Sequence, residues 1–161
     1  MTQADFDANA STLLGADGPF AREVPNFAPR GTQQRMADAV AAAIDSHDAL
    51  VVEAGTGTGK TFAYLVPALL SGKRVIISTG TRNLQDQLFH RDLPRVMSVL
   101  GAKADVALLK GRANYLCRYR LQQTVESGQF RSRAQLGDLQ KIREWAARTR
   151  TGDRAELAEV P

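Results

Sequence analysis

A chain of 161 residues has the length for one domain and little more. Its 43% hydrophobic and 24% charged residues are ordinary for a globular protein, and no apolar run nears the ~18 residues of a membrane span, so no membrane partner is expected. A single cysteine excludes an internal disulfide framework and fits a reducing, cytoplasmic setting.

The acidic, polar start (MTQADFDANA) lacks the pattern of a secretory signal, and residues 1–24 read as a loose lead. Pro25 and Pro29 bracket an extended stretch. A helix is expected over residues 32–46, with Thr32 as N-cap and Met36, Val40, Ala43 and Ile44 at helical spacing. Residues 45–48 (DSHD) superficially resemble an acidic box, but they precede the phosphate loop, which is the wrong order.

Residues 50–70 (LVVEAGTGTGKTFAYLVPALL) organise the chain. A short apolar run leads into a loop of Ala54, Gly55, Thr56, Gly57, Thr58 and Gly59, and an apolar helix follows from Lys60. Strand, glycine-rich loop and helix in that order form the context of a phosphate-binding loop. Glycines let the backbone curl until successive N–H groups face one hollow, and the positive end of the helix faces the same place. Lys60 is placed to reach β/γ-phosphates and the Thr61 hydroxyl to hold Mg²⁺. The usual pattern opens on glycine; here Ala54 takes that position.

A second β-branched run spans residues 74–79 (RVIIST), and a helix starts near Arg82, carrying Leu84 and Leu88, with a break expected at Pro94 and a further turn to Leu100. A third run, residues 105–109 (DVALL), completes a β-α-β-α-β alternation. That order predicts an α/β fold with a parallel sheet and flanking helices. Its ligand rim would gather the phosphate loop, residues 78–81 and residues 110–114.

Beyond Asn114 the pattern turns helical and polar, over residues 115–126 and 132–149, with Leu139, Ile142 and Trp145 in a narrow apolar stripe. The tail reads as cut. The net charge of +4 is uneven: residues 1–50 hold three arginines against seven acids, and residues 110–150 hold ten lysines and arginines against three. A basic third beside a nucleotide site suggests a polyanionic partner, and a solvated arginine face gives the same pattern. Arg112, Arg118 and Arg120 with Tyr115 and Tyr119 suit a nucleic-acid surface, although a tyrosine here can equally pack inward. Cys117 lies in a polar, cationic setting (NYLCRYR); a lone cysteine is otherwise a small buried hydrophobe.

Four blocks in order carry a family resemblance. FAPRGTQQRM, with Arg30 and Gln33, is similar to a Q-motif. VVEAGTGTGKTFAYLVPAL resembles motif I, its Ala54 included. VIISTGTRNLQDQL resembles motif Ia, and LLKGRANYLC the segment that introduces an iron–sulfur domain. Together they resemble the start of a DinG/XPD-type iron–sulfur superfamily 2 DNA helicase, nearest its YoaA-like branch.

The resemblance implies a truncated RecA-like P-loop NTPase domain followed by the helical start of an iron–sulfur domain. It divides the chain into a lead (1–24), the first half of motor domain 1 (25–112) and an incomplete cluster domain (113–161). It implies ATP and Mg²⁺ as cofactors, with Gln33 reading adenine, and a [4Fe–4S] cluster in the full-length protein to which Cys117 gives one thiolate. Thr79, Thr81 and Arg82, with Arg112 and Tyr115, would contact single-stranded or forked DNA, and replication or repair proteins would be further partners. The implied activity is 5′-to-3′ unwinding by a longer parent. A stand-alone nucleotide-binding regulatory module is the alternative. Another P-loop enzyme, such as a small-molecule kinase, leaves KGRANYLC and the basic third unexplained.

Overall fold

The computed structural model describes residues 9–130 and 132–157 and divides the chain into two units, Met1–Ala107 and Leu108–Pro161. In the first unit the elements are α1 (Ala10–Leu13), α2 (Pro19–Glu23), α3 (Gly31–Ser46), α4 (Lys60–Leu70), α5 (Arg82–Gln87), a π-helical turn (Leu88–Asp92) and α6 (Leu93–Leu100).

Alanine-rich α3 has high helix propensity and buries Gln33 and Ala37. Its expected apolar stripe (Met36, Val40, Ala43, Ile44) is only half-buried and lines an open groove of about 550 Å³ with Leu50 and Val52. The helix starts one residue before Thr32, which lies inside it. Arg30 holds the cap position, and no side chain caps that end. At the other end His47 takes a left-handed conformation (φ 60°), and the Asp48 N–H bonds back to the Ala43 carbonyl at 3.1 Å. Strongly apolar α4 buries Ala63, Leu65, Val66 and Pro67.

The lead from Ala10 onward is packed, not loose. Leu14 and Phe20 are fully buried, and the Phe20 ring meets Phe27 and Phe62 at centroid distances of 5.9 and 5.5 Å. The Ser11 N–H donates to Asp38 Oδ1 at 3.1 Å, and Gln34 Nε2 to the Leu14 carbonyl at 3.2 Å. A few large apolar residues therefore fix a stretch whose average composition is polar.

The expected parallel sheet is absent among the described residues. Residues 50–52, 75–77 and 106–109 carry no strand assignment, and the one β-bridge, isolated and antiparallel, joins Tyr115 to Asp153. The alternation of strand-like runs survives: Val51 and Ile76 are 97% and 96% exposed, while their neighbours Val52 and Ile77 are 40% and 37% exposed. A strand exists only as a member of a pair, and a parallel sheet needs both faces covered. Here one face is open to solvent and no backbone ladder joins the runs. The α/β parallel-sheet expectation is thus corrected to a helical architecture with extended connections.

At Pro94 the chain does not break. Proline lacks an N–H and crowds the carbonyl four residues back, and the helix absorbs this as the wider turn Leu88–Asp92 before α6.

The second unit holds a 3₁₀ turn (Arg112–Asn114), α7 (Arg118–Ser127), α8 (Arg133–Arg148) and a second 3₁₀ turn (Arg154–Glu156). The Ser132 hydroxyl caps α8 by accepting from Gln135 N at 3.3 Å, and Trp145 is buried with Leu139 and Ile142 half-buried beside it. Residues 110–114, expected on the rim of the phosphate loop, belong to this unit.

Candidate nucleotide-binding site

The loop between residues 54 and 59 curls as its glycines allow. Gly57 and Gly59 sit at φ 74° and 81°, where a side chain is disfavoured, and α4 begins immediately afterwards. Thr58 Oγ1 donates to the Gly55 carbonyl at 3.0 Å, drawing the loop into a tight turn. Lys60 Nζ lies back over the loop and donates to the carbonyls of Ala54 (2.8 Å) and Gly55 (2.7 Å). The ammonium the sequence assigns to phosphate is thus held by two carbonyls of the loop.

Two donors reach the loop from the start of α3. Arg30 Nη1 donates to the Gly57 carbonyl at 2.8 Å, and Gln33 Nε2 to the Gly59 carbonyl at 2.9 Å. Gln33 is 3% exposed, and its Oε1 is buried with no hydrogen-bond partner among the described residues. Arg30 and Gln33 thus meet the carbonyls of Gly57 and Gly59 across 27 and 26 residues of sequence.

Tyr64, one turn beyond Thr61 on α4, was not picked out from the sequence. Burial raises its phenol above the ordinary value of 10.0; a hydrogen bond from the Thr61 hydroxyl opposes the rise and the Asp92 carboxylate adds to it. Asp92 is buried in the π-helical turn and accepts from Gln87 Nε2 and Arg91 Nε, both at 2.9 Å. The spacing of Thr61 and Tyr64 on one helix face was the available signal.

Of the residues expected to touch DNA, Thr81 caps α5 by accepting from Leu84 N at 3.3 Å, Thr79 Oγ1 donates to the Thr81 carbonyl at 3.3 Å, and Arg82 is exposed. In the second unit Arg112 is exposed, whereas Tyr115 is half-buried with its hydroxyl accepting from Lys110 N at 2.8 Å. Tyr119 is the open ring, at 68% exposure. Cys117 is exposed in the residue before α7.

A feature the sequence did not disclose ties this unit together. Lys110 Nζ and Asp153 Oδ2 form a 2.8 Å ion pair whose side chains are 7% and 16% exposed. The Leu116 N–H adds a bond to the Gly152 carbonyl at 2.8 Å. The Lys110 hydrogen bond, followed by one from the Ala155 N–H, holds the Asp153 carboxyl below its ordinary value of 3.8.

The glycine-rich loop clamped to the preceding helix is the candidate site, and comparison with known proteins gives the family. The DEAD/DEAH box helicase family matches residues 32–126, more than half of the chain, and the chain belongs to that family. It is 48% identical over 156 residues to the protein named ATP-dependent DNA helicase YoaA of Haemophilus influenzae, covering 97% of this chain and 24% of that protein. The Escherichia coli K12 protein of the same name is 53% identical over 144 residues (89% of this chain, 23% of that protein). A Mycobacterium tuberculosis protein named ATP-dependent helicase DinG is 40% identical over 149 residues (80% and 22%). The chain thus spans about a quarter of the length of these relatives. No solved structure matches. Among the described residues, no helix is long and apolar enough to cross a membrane.

Proposed function

We propose that this chain carries the nucleotide-binding part of an ATP-dependent DNA helicase of the repair or replication class, working 5′ to 3′ as part of a longer polypeptide. The observation that carries this reading is the loop itself, with Lys60 poised over carbonyls 54 and 55 and two α3 side chains clamping carbonyls 57 and 59. Relatives covering most of this chain bear the name of ATP-dependent DNA helicases.

The residues present fit ATP with Mg²⁺. Lys60 exchanges two backbone carbonyls for β/γ-phosphate oxygens, a charge-assisted contact of higher strength. The Thr61 hydroxyl, hydrogen-bonded to Tyr64 in the free protein, would hold the metal. Bound Mg²⁺ would neutralise charge that develops on the phosphates. The orphaned Gln33 Oε1 offers an acceptor to the adenine amino group. Single-stranded or forked DNA would contact Thr79, Thr81 and Arg82 in the first unit; in the second, Arg112 would suit a phosphate and Tyr119 a stacked base.

An iron–sulfur cluster does not fit this chain taken alone. Four thiolates are required and the sequence holds one cysteine. Cys117, exposed and flanked by Arg118, remains a candidate single ligand in a longer protein.

Calorimetric titration with Mg·ATP tests the nucleotide reading directly. Lys60→Ala removes hydrogen bonds to a charged group, each of roughly 1.5–3 kcal/mol, so Kd should rise about tenfold or more. A Kd within about twofold of the unaltered chain would refute the assignment. In the longer polypeptide, unwinding of 5′-tailed but not 3′-tailed forks is the expected polarity.

A further inference from the structure

The helical run from Arg82 to Leu100 carries one buried group that neither the glycine-rich loop nor the core accounts for. Leu88, Asp92, Val96 and Leu100 are buried at a spacing of four, a single seam along the π-helical turn and α6. Three of them are apolar and the fourth is a carboxylate. Burying a carboxylate costs free energy that an apolar side chain at the same place would not, so packing does not explain Asp92.

What Asp92 holds is the turn. In a regular α-helix, residues five apart stand about 140° apart around the axis. The wider turn brings Gln87 and Asp92 onto one side, where Gln87 Nε2 donates to Asp92 Oδ2 at 2.9 Å. Arg91 Nε donates to Oδ1 at 2.9 Å. The Gln87 bond therefore depends on the wide turn and braces it in return. Beyond the turn, Val96 and Leu100 fix α6 in the core. Before it, α5 buries no side chain, so the direction in which α5 leaves the core is set at the turn. Thr79, Thr81 and Arg82 stand at the far end of α5, with Thr81 as its cap. The turn also packs against α4, where the Asp92 charge is felt at the Tyr64 phenol.

We propose that Asp92 is a positioning residue: its bond to Gln87 locks the wide turn and so aims α5, with Thr79, Thr81 and Arg82, at a single-stranded nucleic acid. The nucleic acid rests on the reading given under the proposed function. The locking of the turn does not.

The test compares Asp92→Leu and Gln87→Leu with the unaltered 161-residue chain by thermal unfolding, amide hydrogen exchange and the anisotropy of a fluorescein-labelled oligothymidylate. Asp92→Leu completes the apolar seam, so its melting midpoint should equal or exceed that of the unaltered chain. Exchange over residues 84–91 should nonetheless quicken about tenfold, the factor lost with one hydrogen bond to a charged group, while residues 96–100 keep their protection. Oligonucleotide affinity should fall several-fold in the same variant, a fold no less stable that binds worse. Gln87→Leu, at the donor and outside the seam, should reproduce the changes in exchange and binding, and it covers the case in which Asp92→Leu fails to fold. If Asp92→Leu instead lowers the midpoint and quickens exchange through α4 and α6 alike, Asp92 only holds the fold together and the inference is overturned. Unchanged exchange over residues 84–91 in both variants overturns it as well. If the unaltered chain binds no oligonucleotide, the DNA reading of residues 79–82 fails, and the exchange rates alone decide whether Asp92 locks the turn.

Discussion

Replacing Phe20 by alanine separates the core that composition suggests from the core that forms. The Phe20 side chain is fully buried, with two aromatic neighbours at 5.9 and 5.5 Å. Truncation of a buried phenylalanine costs about 3–5 kcal/mol. In a domain of roughly 60–100 residues each kcal/mol moves the melting midpoint by about 4–8 °C, so Phe20→Ala should lower it by at least about 12 °C. Val51→Ala is the counterpart. Val51 lies in the run expected to be a buried strand, yet it is 97% exposed, and its truncation should cost less than about 0.5 kcal/mol. Thermal unfolding followed by far-UV circular dichroism reads both. A shift below about 4 °C for Phe20→Ala, or equal costs for the two variants, would refute the placement of the core.

Two further outcomes follow from the titrating groups. Asp153 has a folded-state pKa below its ordinary 3.8, so its pairing with Lys110 stabilises the second unit above that pH and is lost as pH falls through the folded value. The fluorescence of Trp145, the chain's only tryptophan, should report an acid transition that shifts to higher pH at moderate salt in Asp153→Asn, and an unchanged transition would dissolve the clasp. Tyr64, raised above 10.0, stabilises the fold fully below that pH and progressively less as pH climbs through the folded value, so Tyr64→Phe should blunt alkaline destabilisation; equal alkaline sensitivity would show the phenol to be unperturbed.

Local signals were legible and non-local ones were not. The helix expected over 32–46 forms as Gly31–Ser46 and the one over 132–149 as Arg133–Arg148, because propensity and periodicity act within a few residues. The glycine-rich turn into Lys60 was readable for the same reason. Residues 50–52 and 75–77 do carry β-branched side chains on alternating faces, but a ladder depends on a neighbouring backbone that no single run encodes. The lead was misread because Leu13, Leu14 and Phe20 are few among polar residues, and yet each is buried. Neither the meeting of Lys110 with Asp153 nor that of Gln33 with Gly59 leaves a trace in local pattern, since each closes a long loop of chain.

The missing ladder bears on how the loop keeps its shape. A glycine-rich turn gains flexibility from its lack of side chains, and each glycine costs more conformational entropy to fix than any other residue. Residues 50–52, which lead into the turn, are partly to fully exposed and make no ladder, so they supply little restraint. Restraint comes instead from side chains: Thr58 within the turn, Lys60 folded back over it, and Arg30 and Gln33 from α3. Three of these four restraints use side chains not assigned to phosphate, since Arg30 and Gln33 hold carbonyls 57 and 59 and Thr58 binds within the turn. Lys60 alone holds its carbonyls with the group assigned to phosphate. On the proposed nucleotide reading, binding of a triphosphate would need only that one restraint to be exchanged. The ammonium would pass from neutral carbonyls to charged oxygens with the α3 contacts in place, so much of the ordering entropy of the loop would be spent before a ligand arrives.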